Sequence, residues 1–152
     1  MGEIMFNDLE LAQIKVETLI PHSGGMCLLE KIMECSPEKI ICQTQTHLDE
    51  SNPLKIEGSL SKMHLIEYGA QAVAVHGGLI ERLSLSKLEP RLGYIALLKS
   101  IKWGTIDPAS PFLEVKAHFI TANDMSKLYE FYVMDAVQQC VCSGQVMVVH
   151  PS

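Results

Sequence analysis

The chain has 152 residues and is acidic, with 12 lysines and arginines against 18 aspartates and glutamates and a net charge of −6. Its length suits one domain with a single core, and its 47% apolar content excludes a disordered chain. The acidic balance argues against a nucleic-acid-binding protein, since such proteins normally have a basic surface. The apolar stretches are too short for a membrane helix, and no signal peptide is recognisable. We therefore expect one cytoplasmic domain, residues 1–152, with neither a membrane nor a nucleic acid as partner.

The hydrophobic pattern of the first half of the chain predicts a hairpin followed by one long helix. Residues 1–20 are expected to form an N-terminal extension with a short amphipathic helix. Residues 26–35 and 38–48 are strand-like and are separated by Ser36-Pro37 at hairpin spacing. Residues 59–82 are apolar or small around nearly the whole helical circumference, which is typical of a buried helix. Ser59 or Ser61 is expected to be its N-cap.

Four further strand-like segments follow the long helix. They span residues 92–103, 112–121, 128–137 and 141–149. Because short turns separate them, we predict that they run as an antiparallel meander. The complete chain is then an α+β protein, with an antiparallel sheet wrapped around one long central helix. The unpaired edges of such a sheet favour a homodimer or a larger oligomer.

Neither the cysteines nor the histidines indicate a metal site. The five cysteines are odd in number, lie in apolar segments and lack the spacing of a zinc or redox motif. We interpret them as reduced residues of the core. The six histidines also lack metal-binding spacing, and no nucleotide-binding loop or nucleophile elbow is present. We expect no cofactor.

Glu67 is the most unusual residue of the long helix because it is a carboxylate in an otherwise apolar segment. A carboxyl group in such surroundings holds its proton more readily and can act as a general acid at neutral pH. Gln71 lies one turn further along the same face, where its amide can orient Glu67. The alternative interpretation is a structural carboxylate at an interface, bonded to the backbone or to Tyr68.

Three histidines are candidates for a general base. His22 lies in the loop 21–26, where Gly24 and Gly25 allow the backbone to approach a ligand. His64 is three residues before Glu67, so it can replace His22 as the base or only orient Glu67. His47 ends a strand-like segment and is the weaker candidate.

Two segments resemble the β-hydroxyacyl-[acyl-carrier-protein] dehydratases. Residues 19–32, LIPHSGGMCLLEKI, resemble the opening LPHRxPMLLxDRV of that family, and residues 66–72, IEYGAQA, resemble its helix signature IEAMAQA. The second segment is more similar to GIEYMAQA, found in the dehydratase-like subgroup of aryl-polyene biosynthetic clusters. The resemblance extends from about Leu19 to Val149 and implies a hotdog fold.

The resemblance also implies a reaction in fatty acid or polyene biosynthesis, the dehydration of a 3-hydroxyacyl thioester to a trans-2-enoyl thioester. In this family a histidine removes the C2 proton and a carboxylic acid protonates the departing hydroxyl group. Glu67 matches the acid, and His22 is assigned as the base. The residues assigned to substrate binding are Gly58, Ser59, His64 and Gln71. The acyl group would arrive on an acyl carrier protein or on coenzyme A.

The chain departs from the family pattern at the catalytic histidine. In the main family this histidine lies in a GHFPG motif fourteen residues before the glutamate, and that position here is Pro53. Either His22 or His64 is then the base, or the protein no longer dehydrates its ligand. It would then be a non-catalytic subunit that binds an acyl thioester or completes another hotdog dehydratase as a heteromer. A third alternative is a hotdog acyl thioesterase in which Glu67 activates water.

Overall fold

The computed structural model describes residues 8–19, 27–57, 60–83, 94–107 and 109–149. Within these residues, the helices are α1, Asp8–Gln13, and α2, Leu65–Leu83. The strands are β1, Lys31–Cys35; β2, Lys39–Thr44; β3, Tyr94–Trp103; β4, Leu113–Ala122; β5, Ser126–Met134; and β6, Cys140–Val149. The six strands form one antiparallel sheet, and α2 packs against its inner face. The predicted α+β arrangement is confirmed.

The order of the strands differs from the predicted meander. The order across the sheet is β1-β2-β4-β5-β6-β3. The predicted hairpin of β1 and β2 is present, and β4, β5 and β6 are consecutive neighbours. However, β3 pairs with β6 rather than β4, so the prediction of a four-stranded meander is wrong. Helix α2 connects β2 to the far edge of the sheet, and β4 then returns to pair with β2.

The first two strands are shorter than predicted because side chains bind their main-chain groups. The N–H of Leu28 donates to Gln71 Oε1 at 2.8 Å, and its carbonyl accepts from the hydroxyl groups of Thr44 and Thr46, both at 2.6 Å. The N–H of Thr46 donates to Thr44 Oγ1 at 3.1 Å, and a 3-10 turn follows at Thr46–Leu48. Such side-chain bonds compete with strand pairing.

Helix α2 is preceded by a capped turn. Ser61 Oγ accepts the N–H of Met63 at 3.2 Å and caps the 3-10 turn Lys62–His64, which leads directly into the helix. Ser61 is one of the two predicted N-cap residues. The other, Ser59, lies outside the described residues.

The contact between α2 and the sheet is closest at Gly69. A Cβ atom at this position would lie 2.1 Å from the ring of Phe131 on β5. The ring cannot easily move away, because it is fully buried and its other edge lies against Gly144 on β6. Glycine at position 69 therefore determines how near α2 lies to the sheet.

The opposite face of α2 is only partly buried, which corrects the prediction of a helix buried on all sides. The half-buried residues of this open face are Ile66, Glu67, Ala70, Ala74, Gly77 and Glu81. They recur every three or four residues and so form one continuous stripe. Among the described residues, a Cβ atom at Gly77 would meet no atom within 4 Å. The open face therefore has free space at Gly77 within the described part of the chain.

Edge strand β3 contains a bulge at Ser100. The φ angle of Ser100 is 56°, and the register shifts between Lys99 and Lys102. Lys99 lies opposite Gln145 and Lys102 opposite Ser143, so the extra residue places both lysines on the outer face. Ile101 points inward and contacts the position of Gly144.

The cysteines are all free. Cys35, Cys42 and Cys142 are buried and Cys27 is partly buried, as expected for core residues. Burial raises the pKa of the Cys35 and Cys142 thiols to about 11. Cys140 is exposed, so its assignment to the core is wrong. It begins β6 opposite Met134, next to an irregularity in the register, on the face away from the helix.

Two buried histidines are held in the neutral form. His76 on α2 donates from Nε2 to the carbonyl of Ser36 at 2.7 Å and accepts from the Tyr129 hydroxyl at Nδ1, 2.6 Å away. His47 donates from Nε2 to the carbonyl of Ser110 at 2.7 Å. Burial is the main cause that lowers the pKa of both rings below the ordinary histidine value.

We predict that Gly69→Ala destabilises the protein although alanine is the better helix former. The added methyl group meets the enclosed Phe131 ring, so we expect a loss of about 1–3 kcal/mol in the free energy of unfolding. The matched variant Gly77→Ala adds a methyl group to open space and should gain about 0.5–1 kcal/mol. Urea unfolding of both variants measures the difference, and equal effects would contradict the close contact at Gly69.

We also predict that the protein loses stability in mild acid. Above a pH of about 6.5 neither the folded nor the unfolded chain protonates these two histidines, so their contribution is constant. Below that pH the unfolded chain binds protons that His47 and His76 in the folded protein do not, so the free energy of unfolding falls. Urea unfolding from pH 8 to pH 5 tests this, with His118→Gln at an exposed position as the control. A flat profile would contradict the assignment.

Candidate functional site

The candidate site lies where α2 begins, at one end of the sheet. Thr44 at the end of β2 pairs with Leu113 at the start of β4, so the loops next to both strands meet there. The turn after β5 lies at the same end, since the N–H of Ala136 donates to Ser110 Oγ at 3.1 Å. Three loops therefore meet at this end of the sheet, and the loop after β2 contacts the start of α2 through Asn52 and Tyr68.

Glu67 is in the first turn of α2 and lies on the half-buried, open face of the helix. Within the described part of the chain, its carboxylate has no hydrogen-bond or ion-pair partner. The carboxyl group of Glu67 is thus available to a ligand.

Gln71 is 2% exposed and lies one turn beyond Glu67. Its side-chain oxygen accepts the N–H of Leu28, so it connects the helix to the segment just before β1. The sequence did not indicate this contact, since Gln71 was expected to orient Glu67 and to bind substrate. The oxygen of Gln71 is directed to a main-chain group.

The structure describes some of the remaining predicted site residues but not others. His22, Gly58 and Ser59 lie outside the described residues. His64 is the last residue of the turn before α2, and its Nδ1 atom is buried without a hydrogen-bond partner among the described residues. His47 is also at this end of the sheet, and its unprotonated Nδ1 has no partner there either.

Three residues at this end, Tyr68, Asn52 and Thr46, contact one another although the sequence did not predict that they would. Tyr68 is fully buried, and its hydroxyl oxygen accepts from Asn52 Nδ2 at 3.0 Å and lies 3.1 Å from Thr46 Oγ1. Asn52-Pro53 suggests a turn in the sequence, but nothing in the pattern indicates that Asn52 contacts the helix sixteen residues later. These contacts connect the loop after β2 to the start of α2.

No group of three or more histidine, cysteine, aspartate or glutamate side chains in the described residues could hold a metal ion. In the same residues, no helix combines the length and the apolar character needed to span a membrane.

Comparison with solved structures identifies the fold. A chain of the dehydratase heterocomplex ApeI:P from Xenorhabdus doucetiae matches with a TM-score of 0.77 and 20% identity, covering 91% of this chain and 92% of that one. A hypothetical thioesterase from Streptococcus pneumoniae, solved with coenzyme A, matches with a TM-score of 0.60 and 12% identity, covering 80% and 85%. The PaaI protein from the phenylacetic acid degradation operon of E. coli matches with a TM-score of 0.58 and 10% identity, covering 80% and 79%. Together with one long helix on an antiparallel sheet, these likenesses show a hotdog fold.

The sequence itself was compared with protein families and with curated proteins. No curated protein matches the sequence. The model of the ApeP-like family, described as ApeP dehydratase, matches residues 14–152, which is most of the chain. The chain belongs to the ApeP-like dehydratase family.

Proposed function

We propose that this protein dehydrates 3-hydroxyacyl thioesters to trans-2-enoyl thioesters, with Glu67 as the general acid and His22 as the general base. It would act as a single cytoplasmic hotdog domain spanning residues 1–152. The acyl group would be held on an acyl carrier protein or on coenzyme A. Membership of a dehydratase family supports the reaction class. The heterocomplex named above is itself a dehydratase, and one thioesterase neighbour was solved with coenzyme A.

The proposed reaction needs one base and one acid. His22 takes the C2 proton, and the electron pair of that C–H bond becomes the C2–C3 double bond. The C3–O bond breaks, and the departing hydroxyl group takes a proton from Glu67 and leaves as water. Gly58 and Ser59 would donate backbone N–H groups to the thioester oxygen, on which negative charge develops as the C2 proton leaves. Transfer of a proton from His22 back to Glu67 restores the starting state.

The observation that carries the proposal is the position of Glu67. It is half-buried in the first turn of α2, faces the open side of the helix and has no partner among the described residues. A structural carboxylate in such a place would be expected to have a partner. The small residues Ala70, Ala74 and Gly77 on the same face leave room beside it for an acyl chain. His64, whose Nδ1 is buried and unpartnered in the described residues, would lie on the substrate side as well.

The assignment of the acid is tested with Glu67→Gln. We expect the variant to fold and to lose water-forming activity by at least about 100-fold, because a positioned acid contributes that much to the rate. The protein is incubated with a 3-hydroxyacyl thioester on a carrier protein, and loss of water is measured by mass spectrometry. Glu81→Gln is the matched control, since Glu81 lies on the same face of α2 about four turns away. Unchanged turnover in Glu67→Gln would contradict its role.

A partner-subunit function is favoured by one observation, the proline at position 53. Proline has no group that can accept a proton, so position 53 cannot supply the base that the resembling dehydratases have there. The similar ApeI:P protein is a heterocomplex, which is consistent with a second hotdog subunit that completes the site. Absence of water loss from the folded protein alone, with activity restored by such a subunit, would support this function. Release of a free acid from a saturated acyl thioester would instead identify a thioesterase.

We further propose that the molecule is a homodimer, or a heteromer with another hotdog subunit, formed through edge strand β3. Ile95, Leu97, Leu98 and Trp103 on this strand are between 40% and 48% exposed. A ten-residue edge with apolar side chains on both faces is typical of a strand that pairs with another subunit. In such a dimer, Glu67 and His22 of one site would come from different subunits.

Substitution of Leu97 by aspartate should separate the subunits. The variant Leu97→Asp places a charge in the proposed interface, so we expect light scattering to give half the molar mass of the wild-type dimer. Ile120→Asp is the control, because Ile120 on β4 is 42% exposed compared with 43% for Leu97 and lies away from the edge. Dissociation of the control, or a dimeric Leu97→Asp protein, would contradict an interface at β3.

A further inference from the structure

We infer that the Tyr68 hydroxyl group is a positioning group for the start of α2, and so for the carboxyl group of Glu67. This inference rests on the proposed function, because it concerns the same site. It is based on a series of hydrogen bonds that all point the same way. The series runs from the loop after β2, through Tyr68, to the polypeptide segment before β1.

The direction of the chain begins at Asn52, whose side-chain amide can be oriented in only one way. Its Oδ1 accepts the N–H of Leu54 at 2.9 Å, so the other atom is the nitrogen. That nitrogen donates to the carbonyl of Thr46 at 2.9 Å and to the Tyr68 hydroxyl oxygen at 3.0 Å. Asn52 is 6% exposed, so water does not easily replace these bonds.

The directions of the next two hydrogen bonds, at Thr46 and Tyr68, are also determined. Thr46 Oγ1 lies 2.6 Å from the carbonyl of Leu28, which can only accept, so the threonine proton is used there. Thr46 Oγ1 must then accept from the Tyr68 hydroxyl group, 3.1 Å away. Burial raises the pKa of the Tyr68 phenol, which keeps the proton available for this bond.

Leu28 closes the chain into a ring with the helix. Its carbonyl accepts from Thr46, and its N–H donates to Gln71 Oε1 at 2.8 Å. Tyr68 and Gln71 are three residues apart on α2 and therefore lie on the same face of the helix. The helix is thus held at two points, one residue and one helical turn beyond Glu67.

The ring fixes the rotation of the first turn of α2 relative to the loop that contains Asn52 and Pro53. Glu67 is the residue before Tyr68, so any rotation that moves the Tyr68 ring also moves the carboxyl group. A displacement of about 1 Å at a reacting group lowers a catalytic rate by as much as 100-fold. The Tyr68 hydroxyl group touches no reacting atom in this scheme and acts only through the position of the helix.

Tyr68→Phe removes this hydroxyl group alone, and Tyr129→Phe is the matched control. Tyr129 is also buried, at 2% exposure, and its hydroxyl group also binds a buried side chain, His76, in the other half of the helix. We expect both variants to lose stability, but only Tyr68→Phe to lower kcat, by about 10-fold or more with KM unchanged. An unchanged kcat in Tyr68→Phe, or an equal loss in Tyr129→Phe, would overturn the inference.

Two variants of Thr46 separate the hydrogen bond from the packing. Thr46→Ser keeps the hydroxyl group and should retain kcat, whereas Thr46→Val keeps the shape without it and should lose as much as Tyr68→Phe. Both changes interrupt the same series of hydrogen bonds. The double variant Tyr68→Phe/Thr46→Val should therefore lose no more of kcat than either single variant. Additive losses would show two independent contacts and would overturn the chain.

Hydrogen exchange keeps the inference testable even if the protein proves to be inactive. In Tyr68→Phe the amides of Leu28 and of residues 46–55 should exchange faster than in the wild type, while those of β5 and β6 should not change. Tyr129→Phe should leave residues 46–55 unchanged. If the wild type forms no water, the proposed reaction fails, whereas unchanged exchange in Tyr68→Phe refutes the positioning role.

Discussion

The short distance between α2 and the sheet determines the rotation of the helix about its own axis, and the rest of the site depends on that rotation. Gly69 and Gly144 enclose the Phe131 ring from two sides, so the helix can lie at this distance only with Gly69 toward β5. Tyr68, Ala72 and Val75 then also face the sheet and are fully buried. On a helix of 3.6 residues per turn, Glu67 lies almost opposite Gly69. The carboxyl group therefore faces away from the core because a glycine faces into it.

The elements of this fold could be predicted from the sequence more successfully than their pairing. The long helix and the strands have clear patterns, since their periodicity depends on neighbouring residues only. The place of β3 beside β6 depends on contacts between residues about forty positions apart, such as Lys102 and Ser143. No local pattern distinguishes that arrangement from a simple meander. The start of β1 was predicted incorrectly for a related reason, because the distant side chain of Gln71 binds Leu28.

For the candidate site, the sequence indicated the residues with suitable chemical groups but not the residues that hold them in position. Glu67 stood out as a carboxylate in an apolar helix, and the structure places it on the open face of that helix. Tyr68, Thr46 and Asn52 have no such mark, because a tyrosine in an apolar helix and polar residues in a loop are ordinary. These residues matter because they are buried in contact with one another, and the sequence of any one segment does not show that contact. The resemblance to a family motif pointed to Glu67 as well, because the residues of such a motif recur at a fixed spacing.

The loop after β2 is firmly held although it has lost the residue expected to do chemistry there. Asn52 binds Thr46 and Tyr68 immediately before Pro53. A loop that served no purpose would be free to lose these buried bonds, whose net contribution is about 1 kcal/mol each. The arrangement gives this loop a supporting role, because its buried side chain connects the end of β2 to the start of α2.

The bulge at Ser100 has a consequence for how the gene can change. Lys99 and Lys102 are three residues apart, so in a regular strand one of them would turn toward the helix, where the energetic cost of burying its charge would be high. The bulge prevents this, because Ser100 and Ile101 together occupy the place opposite one residue of β6. Deletion of the codon for Ser100 would leave Ile101 alone at that place and would keep both lysines on the outer face. The number of residues between the two lysines can therefore fall by one without exchanging the faces of the strand.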